Sequence, residues 1–524
     1  MKPTLVFVLI ILVILDIQAN TFYVSTSGND TNVGSEILPW LTIQHAANMA
    51  IAGDTVLIKS GIYNERVEFQ NSGSNISPIV FRNYQNDTVT VDGTGITWWS
   101  WNGLLDISNL SYIVIDGINI SKALSYGGIW IENSSHITIK NCYTYNSYSS
   151  GISCWGSEFV TIDACEVELA CNGGEQECIS IESSNNIIVS NCEVHHNGTG
   201  ENGGEGIDVK NGSHDVQVYR NIVHHINERI GVYADAWDSH TYNIDFYQNL
   251  VYNCGNNGMV VQSEMGGLIE YINFYNNIVY NNKWDGIAVG SVTASSSVSS
   301  TPVHHIKIIN NTLYQNGDYL GGWGFGILVN NPNAIDIIIR NNICSENSAQ
   351  IGIQQIDNSA VVDHNLLYGS NTASGALTGN DSILENPLFV DVTSFNFYLQ
   401  NPSPAIDNGS VTDAPNTDFT NTNRPYGTGI DIGAYEYNPT LNTKTISAQN
   451  LNTEIYPNPS NGILTIKSKA ILKVELIDVL GRTVKSINTN ANKITLDLSL
   501  QKQGLYVIKV STRNGVEQRK IILR

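Results

Sequence analysis

Short runs of alternating apolar and polar residues return along most of this chain, each opened by a glycine. Gly128-Ile129-Trp130-Ile131-Glu132 is echoed by Gly151-Ile152-Ser153-Cys154-Trp155, Gly206-Ile207-Asp208-Val209-Lys210, Gly231-Val232-Tyr233-Ala234-Asp235, Gly258-Met259-Val260-Val261-Gln262, Gly286-Ile287-Ala288-Val289-Gly290 and Gly326-Ile327-Leu328-Val329-Asn330. A period of two puts alternate side chains into a core and into solvent, which is the pattern of a half-buried strand. A strand that recurs in this way stacks on its own copies, so the body is expected to be a solenoid. Asn141, Asn191, Asn221, Asn249, Asn277, Asn311 and Asn342 fall at matching places, where a buried side-chain amide can bond to the coils above and below. Because the spacing varies, insertions must leave as loops, and such loops wall binding grooves.

The ends differ from the body. Met1 to Ala19 carries Lys2, the apolar run Leu5 to Leu15 and then Ile17-Gln18-Ala19, which reads as a secretory signal peptide over residues 1–19. No other segment is apolar enough to span a bilayer, so a soluble, exported mature protein without a transmembrane segment is expected. Residues 20–438 form the body, with an N-terminal cap over about 20–100 and a closure over about 384–438. Residues 439–453 are a Thr/Asn/Ser-rich linker, and 454–524 are a tail whose composition suits a small β-sandwich. The tail holds 12 basic and 5 acidic residues; removing it and Lys444 from the total of −22 leaves −30 on the body. So acidic a body repels nucleic acid and other polyanions unless cations intervene.

Glu454-Ile455-Tyr456-Pro457-Asn458-Pro459-Ser460-Asn461-Gly462, Asp478-Val479-Leu480-Gly481-Arg482, Gly504-Leu505-Tyr506-Val507-Ile508-Lys509-Val510 and Lys520-Ile521-Ile522-Leu523-Arg524 occur in that order. The tail resembles the C-terminal sorting domain of the type IX secretion system of Bacteroidetes-type bacteria. That resemblance implies the type IX machinery as a partner, export through the periplasm and outer membrane, and then release or surface attachment. In the body, Phe22-Tyr23-Val24-Ser25-Thr26-Ser27-Gly28-Asn29-Asp30, Pro39-Trp40-Leu41-Thr42-Ile43-Gln44 and Gly61-Ile62-Tyr63-Asn64-Glu65-Arg66 resemble the cap of secreted β-helix enzymes acting on polysaccharides. Asn386-Pro387-Leu388-Phe389, Ser403-Pro404-Ala405-Ile406-Asp407 and Asp431-Ile432-Gly433-Ala434-Tyr435-Glu436 resemble their closure. The implied fold class is all-β: a right-handed parallel β-helix, here followed by a small β-sandwich. A monomer with a polysaccharide substrate is expected, but the same frame carries lyases, hydrolases and epimerases.

Aligning the coil glycines predicts where the chemistry gathers. Outward residues of neighbouring coils stand about 4.8 Å apart, so Glu132, Trp155, Glu182, Lys210, Asp235 and Gln262 should form one column. Asp208 and Tyr233 should lie in the adjacent one, with Trp237, Asp238 and Glu264 just past the strand. Glu205-Gly206-Ile207-Asp208-Val209-Lys210 resembles the Glu-x4-Lys segment of the chondroitinase B and alginate lyase family, in which the Glu binds calcium and the Lys removes the proton next to the uronate carboxylate. Pectate lyases of another β-helix family show a similar element with calcium-binding aspartates one coil on, similar to Asp235-Ala236-Trp237-Asp238. The first family's Arg falls here near Ala236 and the second's catalytic Lys near Val260; Arg229, on the preceding turn, is the nearest substitute for the Arg.

Three functions fit these residues. β-Elimination needs a base, a cation for the uronate carboxylate and a proton donor for the leaving oxygen. Lys210 can serve as base, calcium held by Glu205, Asp208, Asp235 or Asp238 as cation, and Tyr233 as donor. The anionic neighbours of Lys210 hold it protonated, which bound calcium would offset. Hydrolysis needs two carboxylates about 5 to 9 Å apart, which Asp235 or Asp238 with Glu264 can supply. A non-catalytic glycan binder would use Trp155, Tyr233, Trp237 and Trp284 as stacking surfaces while the acids bind structural calcium; Glu182, Trp155, Trp237, Arg229 and Trp284 are the expected substrate contacts.

Two further patterns remain. His195-His196 and His224-His225 recur one coil apart, as a metal site or as the same polar turn met twice. Cys142, Cys165 and Cys192 share an inward position, as a small apolar stack rather than a metal site, whereas Cys171 and Cys178 flank a loop and are the better candidates for a disulfide in an exported chain, whose connectivity the sequence leaves open.

Overall fold

The structure is a computed structural model. It describes residues 19–98, 101–173, 175–199, 203–290, 300–317, 324–354 and 360–439, and 453–523 apart from 459, 478–482, 500, 503, 513 and 514. All but the last residue of the expected signal peptide, most of the linker and the 478–482 motif lie outside the described residues. Two compact units divide at Tyr437.

The first unit is a solenoid of three parallel sheets of 13, 12 and 11 strands, to each of which a complete coil gives one strand. The 11-stranded sheet contains the glycine-led strands, among them Gly127–Glu132, Ile152–Trp155, Ile179–Glu182, Ile207–Lys210, Val232–Ala236 and Met259–Ser263. Their inward Ile, Val, Cys and Ala side chains join one continuous apolar core running from Val24 to Leu367. The α-helix Ile43–Met49 closes the N-terminal end by burying Ile43, Ala46 and Ala47. At the other end Phe389, Phe397 and Ile432 pack over Tyr280 and Tyr314. Among the described residues no helix is long and apolar enough to cross a membrane.

The corners show why the coils stay in register. Asn141, Asn191, Arg220, Gln248, Asn276, Asn310 and Asn341 adopt left-handed backbone angles with φ between 53° and 58°, a conformation that asparagine tolerates well. The next residue points inward. Asn221, Asn249, Asn277, Asn311, Asn342 and Asn365 form a buried ladder there, each amide donating to the next Oδ1 at 3.0 to 3.1 Å. Asn141 and Asn191, expected in this ladder, stand one residue off it, in the exposed turn position, where they bond to Asp116 and Asp163. The ladder position in those coils belongs to cysteine: the Cys192 N–H donates to Asn221 Oδ1 at 2.9 Å. A second ladder joins Asn282, Asn316 and Asn347, and Ser134, Ser157, Ser184 and Ser213 form a third through backbone N–H to hydroxyl bonds.

All eight cysteines are buried free thiols, Cys171 and Cys178 included, which corrects the expected disulfide. Both belong to the apolar core, where burial and the neighbouring Cys178 push the Cys171 thiol well up.

The second unit is an antiparallel β domain built from Glu454–Tyr456, Ile463–Ile477, Thr483–Asp497, Gly504–Thr512 and Gly515–Leu523. Leu464, Ile466, Leu476, Ile508 and Val510 give it a core of its own.

Candidate active site

On the 11-stranded sheet, strand pairing sets Glu132, Trp155, Glu182, Lys210, Asp235 and Gln262 opposite one another in that order. The column two residues earlier runs Ser153, Ser180, Asp208, Tyr233 and Val260. A groove of about 510 Å³ opens over the middle of both columns, lined by Glu182, Glu205, Asp208, Lys210, Tyr233, Asp235, Trp237 and Glu264 together with Gln176, Glu177 and Asn211.

Lys210 is clasped at its centre. Nζ donates to Glu177 Oε1 and Oε2 at 2.9 and 2.8 Å and to Gln176 Oε1 at 2.9 Å. Burial lowers the lysine pKa, but Glu177, Asp208 and Glu182 outweigh it and hold the ammonium well above its usual range. Glu177 also takes a 2.7 Å bond from the Ser180 hydroxyl. The loop carrying Gln176 and Glu177 is packed by the next one, where Gly203 has φ +100° and a Cβ would come within 2.3 Å of the Gln176 carbonyl oxygen. Only glycine fits that approach.

Around the clasp lie acids that resist ionising. Burial and the Glu177 carboxylate raise Glu205 to about 7, with Arg229 and Lys210 pulling it back. Burial and Asp235 push Asp208 well up, and burial and Glu264 do the same to Asp235. Asp208 is 1% exposed and Asp235 6%, yet Oδ1 of each has no hydrogen-bond partner. The Tyr233 hydroxyl donates to Glu264 Oε1, which also accepts from Gln262 Nε2 at 3.1 Å. Burial, Asp235 and Glu264 push the Tyr233 hydroxyl well up, so it keeps its proton.

Four expected residues, Asp238, Trp284, Trp155 and Arg229, are not part of the groove lining. Asp238 is exposed and accepts from the Ser239 hydroxyl at 3.2 Å; its strand ends at Ala236, so alternation no longer aims it at the site. Trp284 is exposed on the turn before Gly286, away from the groove lining. Trp155 flanks the groove, packed against Trp130 and Trp101 with ring centres 4.6 and 5.6 Å away. Arg229 acts on the Glu205 carboxyl from behind Gly204. Glu177 was missed, although it stands two residues before Ile179 as Glu205 stands before Ile207, and these strands pair there.

Residues 22–167 match the family described as Pel9A-like, right handed beta helix region. Residues 454–524 match the secretion system C-terminal sorting domain. The first stretch is thus similar to the Pel9A-like β-helix region, and the tail to the sorting domain of a secretion system. The tail therefore marks the chain for export to the cell surface or beyond. The Pel9A-like match ends at Val167, before the first groove residue, Gln176. The uncharacterized protein YwoF of Bacillus subtilis (strain 168) is 36% identical over 127 residues, 23% of this chain and 27% of that protein. Pectate lyase PEL9 of Emericella nidulans is 25% identical over 152 residues, 27% of this chain and 37% of that protein. The chain thus spans 27% and 37% of the length of these curated relatives. The crystal structure of pectate lyase Pel9A is similar at 17% identity and a TM-score of 0.49, over 81% of this chain and 98% of that one.

Proposed function

We propose that this protein is an exported polysaccharide-degrading enzyme whose active site is the Asp208–Lys210–Asp235 groove. Its reaction in this reading is calcium-assisted β-elimination on a uronate-containing glycan. The observation that carries the proposal is the pair of unpartnered, buried Oδ1 atoms of Asp208 and Asp235 on adjacent strands. Buried carboxylates without hydrogen bonds are costly unless protonated or paired with a cation. Asp208 and Asp235 lie diagonally across these strands, Asp208 opposite Tyr233 and Asp235 opposite Lys210, and carboxylate oxygens are the ligands calcium takes. Asp208, Asp235 and Glu205 are therefore the residues that would hold it, with Asp238 left outside. When bound, the ion supplies positive charge for the uronate carboxylate beside the proton to be removed.

The chain's own groups divide the remaining work. Lys210 Nζ can take the sugar proton only after giving one of its own to Glu177, the carboxylate bonded to it through both oxygens. Tyr233, holding its proton, donates to the departing oxygen as the electrons of the broken C–H bond form the new double bond. Trp237, 44% exposed at the groove wall, offers a ring face to a sugar. The Glu177 clasp also favours a second reading, hydrolysis, in which Lys210 stays an ammonium. Asp235, its carboxyl pushed up by burial, would protonate the leaving oxygen, and Glu264 would activate water.

Incubating the full-length protein with acidic and neutral glycans, with and without calcium, separates these reactions. New reducing ends accompanied by the ultraviolet absorbance of an unsaturated uronate, lost on chelation and restored by calcium, are expected. Reducing ends without that absorbance would replace elimination by hydrolysis. Absence of any cleavage would overturn both.

A further inference from the structure

A second cluster of metal-ligating groups lies on a different face, the 12-stranded sheet. Strand Glu166–Glu168 pairs with Glu193–His195, and that with Ile222–His224. On the first of these strands Glu166 and Glu168 both point outward on either side of buried Val167. Parallel pairing then puts His195 directly opposite Glu168. One carboxylate oxygen from each glutamate and one ring nitrogen of His195 lie within 4.8 Å of one another.

The surroundings prepare the imidazole for a ligand. His195 Nδ1 is 2.7 Å from His196 Nδ1, a hydrogen bond that occupies that side of the ring. Its Nε2 faces the acids, 3.5 Å from Glu166 Oε1. Two ligand atoms bound to one zinc at a tetrahedral angle are separated by about 3.4 Å. Glu168 is steadied by the Tyr143 hydroxyl, which donates to Oε2, as an outer partner steadies a metal ligand. One coil further the same positions close on themselves. The equivalents of Glu166, Glu168 and His195 there are Glu193, His195 and His224: His224 Nε2 is 3.1 Å from Glu193 Oε1, a hydrogen bond, and His195 stands in place of the second carboxylate.

We propose that Glu166, Glu168 and His195 form a site for a divalent first-row transition ion, zinc being the probe, that ties two neighbouring coils together. The donor set separates it from the calcium proposed for the groove. A ring nitrogen with carboxylates suits zinc, whereas calcium takes oxygen alone.

The test is zinc binding to the full-length protein after dialysis against chelator, by calorimetry and by elemental analysis of the gel-filtered protein. Wild type should retain one more zinc equivalent than Glu168→Gln, which keeps an acceptor for Tyr143 and so should fold. At this site Glu168→Gln and His195→Ala should weaken zinc by at least about 100-fold, since losing a direct ligand exceeds the loss of an outer partner. Zinc should raise the melting temperature of wild type by roughly 3 °C at about 100 times Kd and leave that of Glu168→Gln unmoved. Asp208→Asn should retain this equivalent. Zinc binding unchanged in Glu168→Gln, abolished by Asp208→Asn or absent from wild type would overturn the assignment.

Discussion

Replacing Glu205 with glutamine should stabilise the solenoid at neutral and alkaline pH and leave it unchanged in acid. Burial and the neighbouring Glu177 carboxylate move the Glu205 carboxyl from 4.5 to about 7, against the pull of Arg229 and Lys210. A carboxyl whose pKa is higher in the fold than in the unfolded chain favours folding fully below about 4.5 and loses that contribution as pH rises through about 7. At about 1.4 kcal/mol for each tenfold change in proton affinity, the rise corresponds to about 3 kcal/mol. Part of the Glu205 side chain reaches solvent at the groove mouth, and screening there trims the expected effect to roughly 1–2 kcal/mol. Glutamine has nearly the same shape and cannot ionise, so it escapes the penalty. Urea unfolding in chelator, followed by circular dichroism at pH 4.5, 7 and 8.5, reads the difference between variant and wild type. The two should coincide at pH 4.5 and separate in favour of the variant at pH 8.5. Added calcium should narrow the gap, because the ionised carboxylate is the form that binds it. A difference independent of pH, or a wild type more stable than the variant at pH 8.5 in chelator, would refute the reasoning.

Lys210→Met should lower stability by about 3–5 kcal/mol in the same urea assay, because Glu177 is left charged and buried without its partner; glycan cleavage should be lost with it. Asn277→Ala should cost about 2–4 kcal/mol, since it removes the acceptor for the Asn249 backbone N–H at 3.0 Å and the donor to the Phe246 carbonyl at 2.9 Å. Removing residues 439–524 should leave the solenoid's melting temperature unchanged, because each unit has its own core, while export measured in the culture medium and on the cell surface should stop.

The strand faces were legible in the sequence because alternation and the coil glycines carry the register: Glu182, Lys210, Asp235 and Gln262 pair in the order their offsets predict. The asparagine ladder was legible only to within one residue. Turn and ladder positions are adjacent and both favour asparagine, as Asn276-Asn277, Asn310-Asn311 and Asn341-Asn342 illustrate, so Asn141 and Asn191 were placed one step early. What escaped lies where periodicity stops. Gln176 and Glu177 reach Lys210 from an inserted loop whose path depends on its packing against Gly203. Asp238 turns away once the strand has ended at Ala236. The buried Arg424–Glu436 ion pair at 2.5 Å joins two segments of the closure that share no repeat.

The central claim is that Asp208 and Asp235 hold a cation where the reaction occurs. A crystal structure of the protein soaked in calcium, with its anomalous signal, tests this most directly. The account predicts a calcium peak between Asp208 Oδ1 and Asp235 Oδ1, within reach of Glu205, that disappears in Asp208→Asn. A groove without a peak at saturating calcium, both aspartates remaining unpartnered, would contradict it.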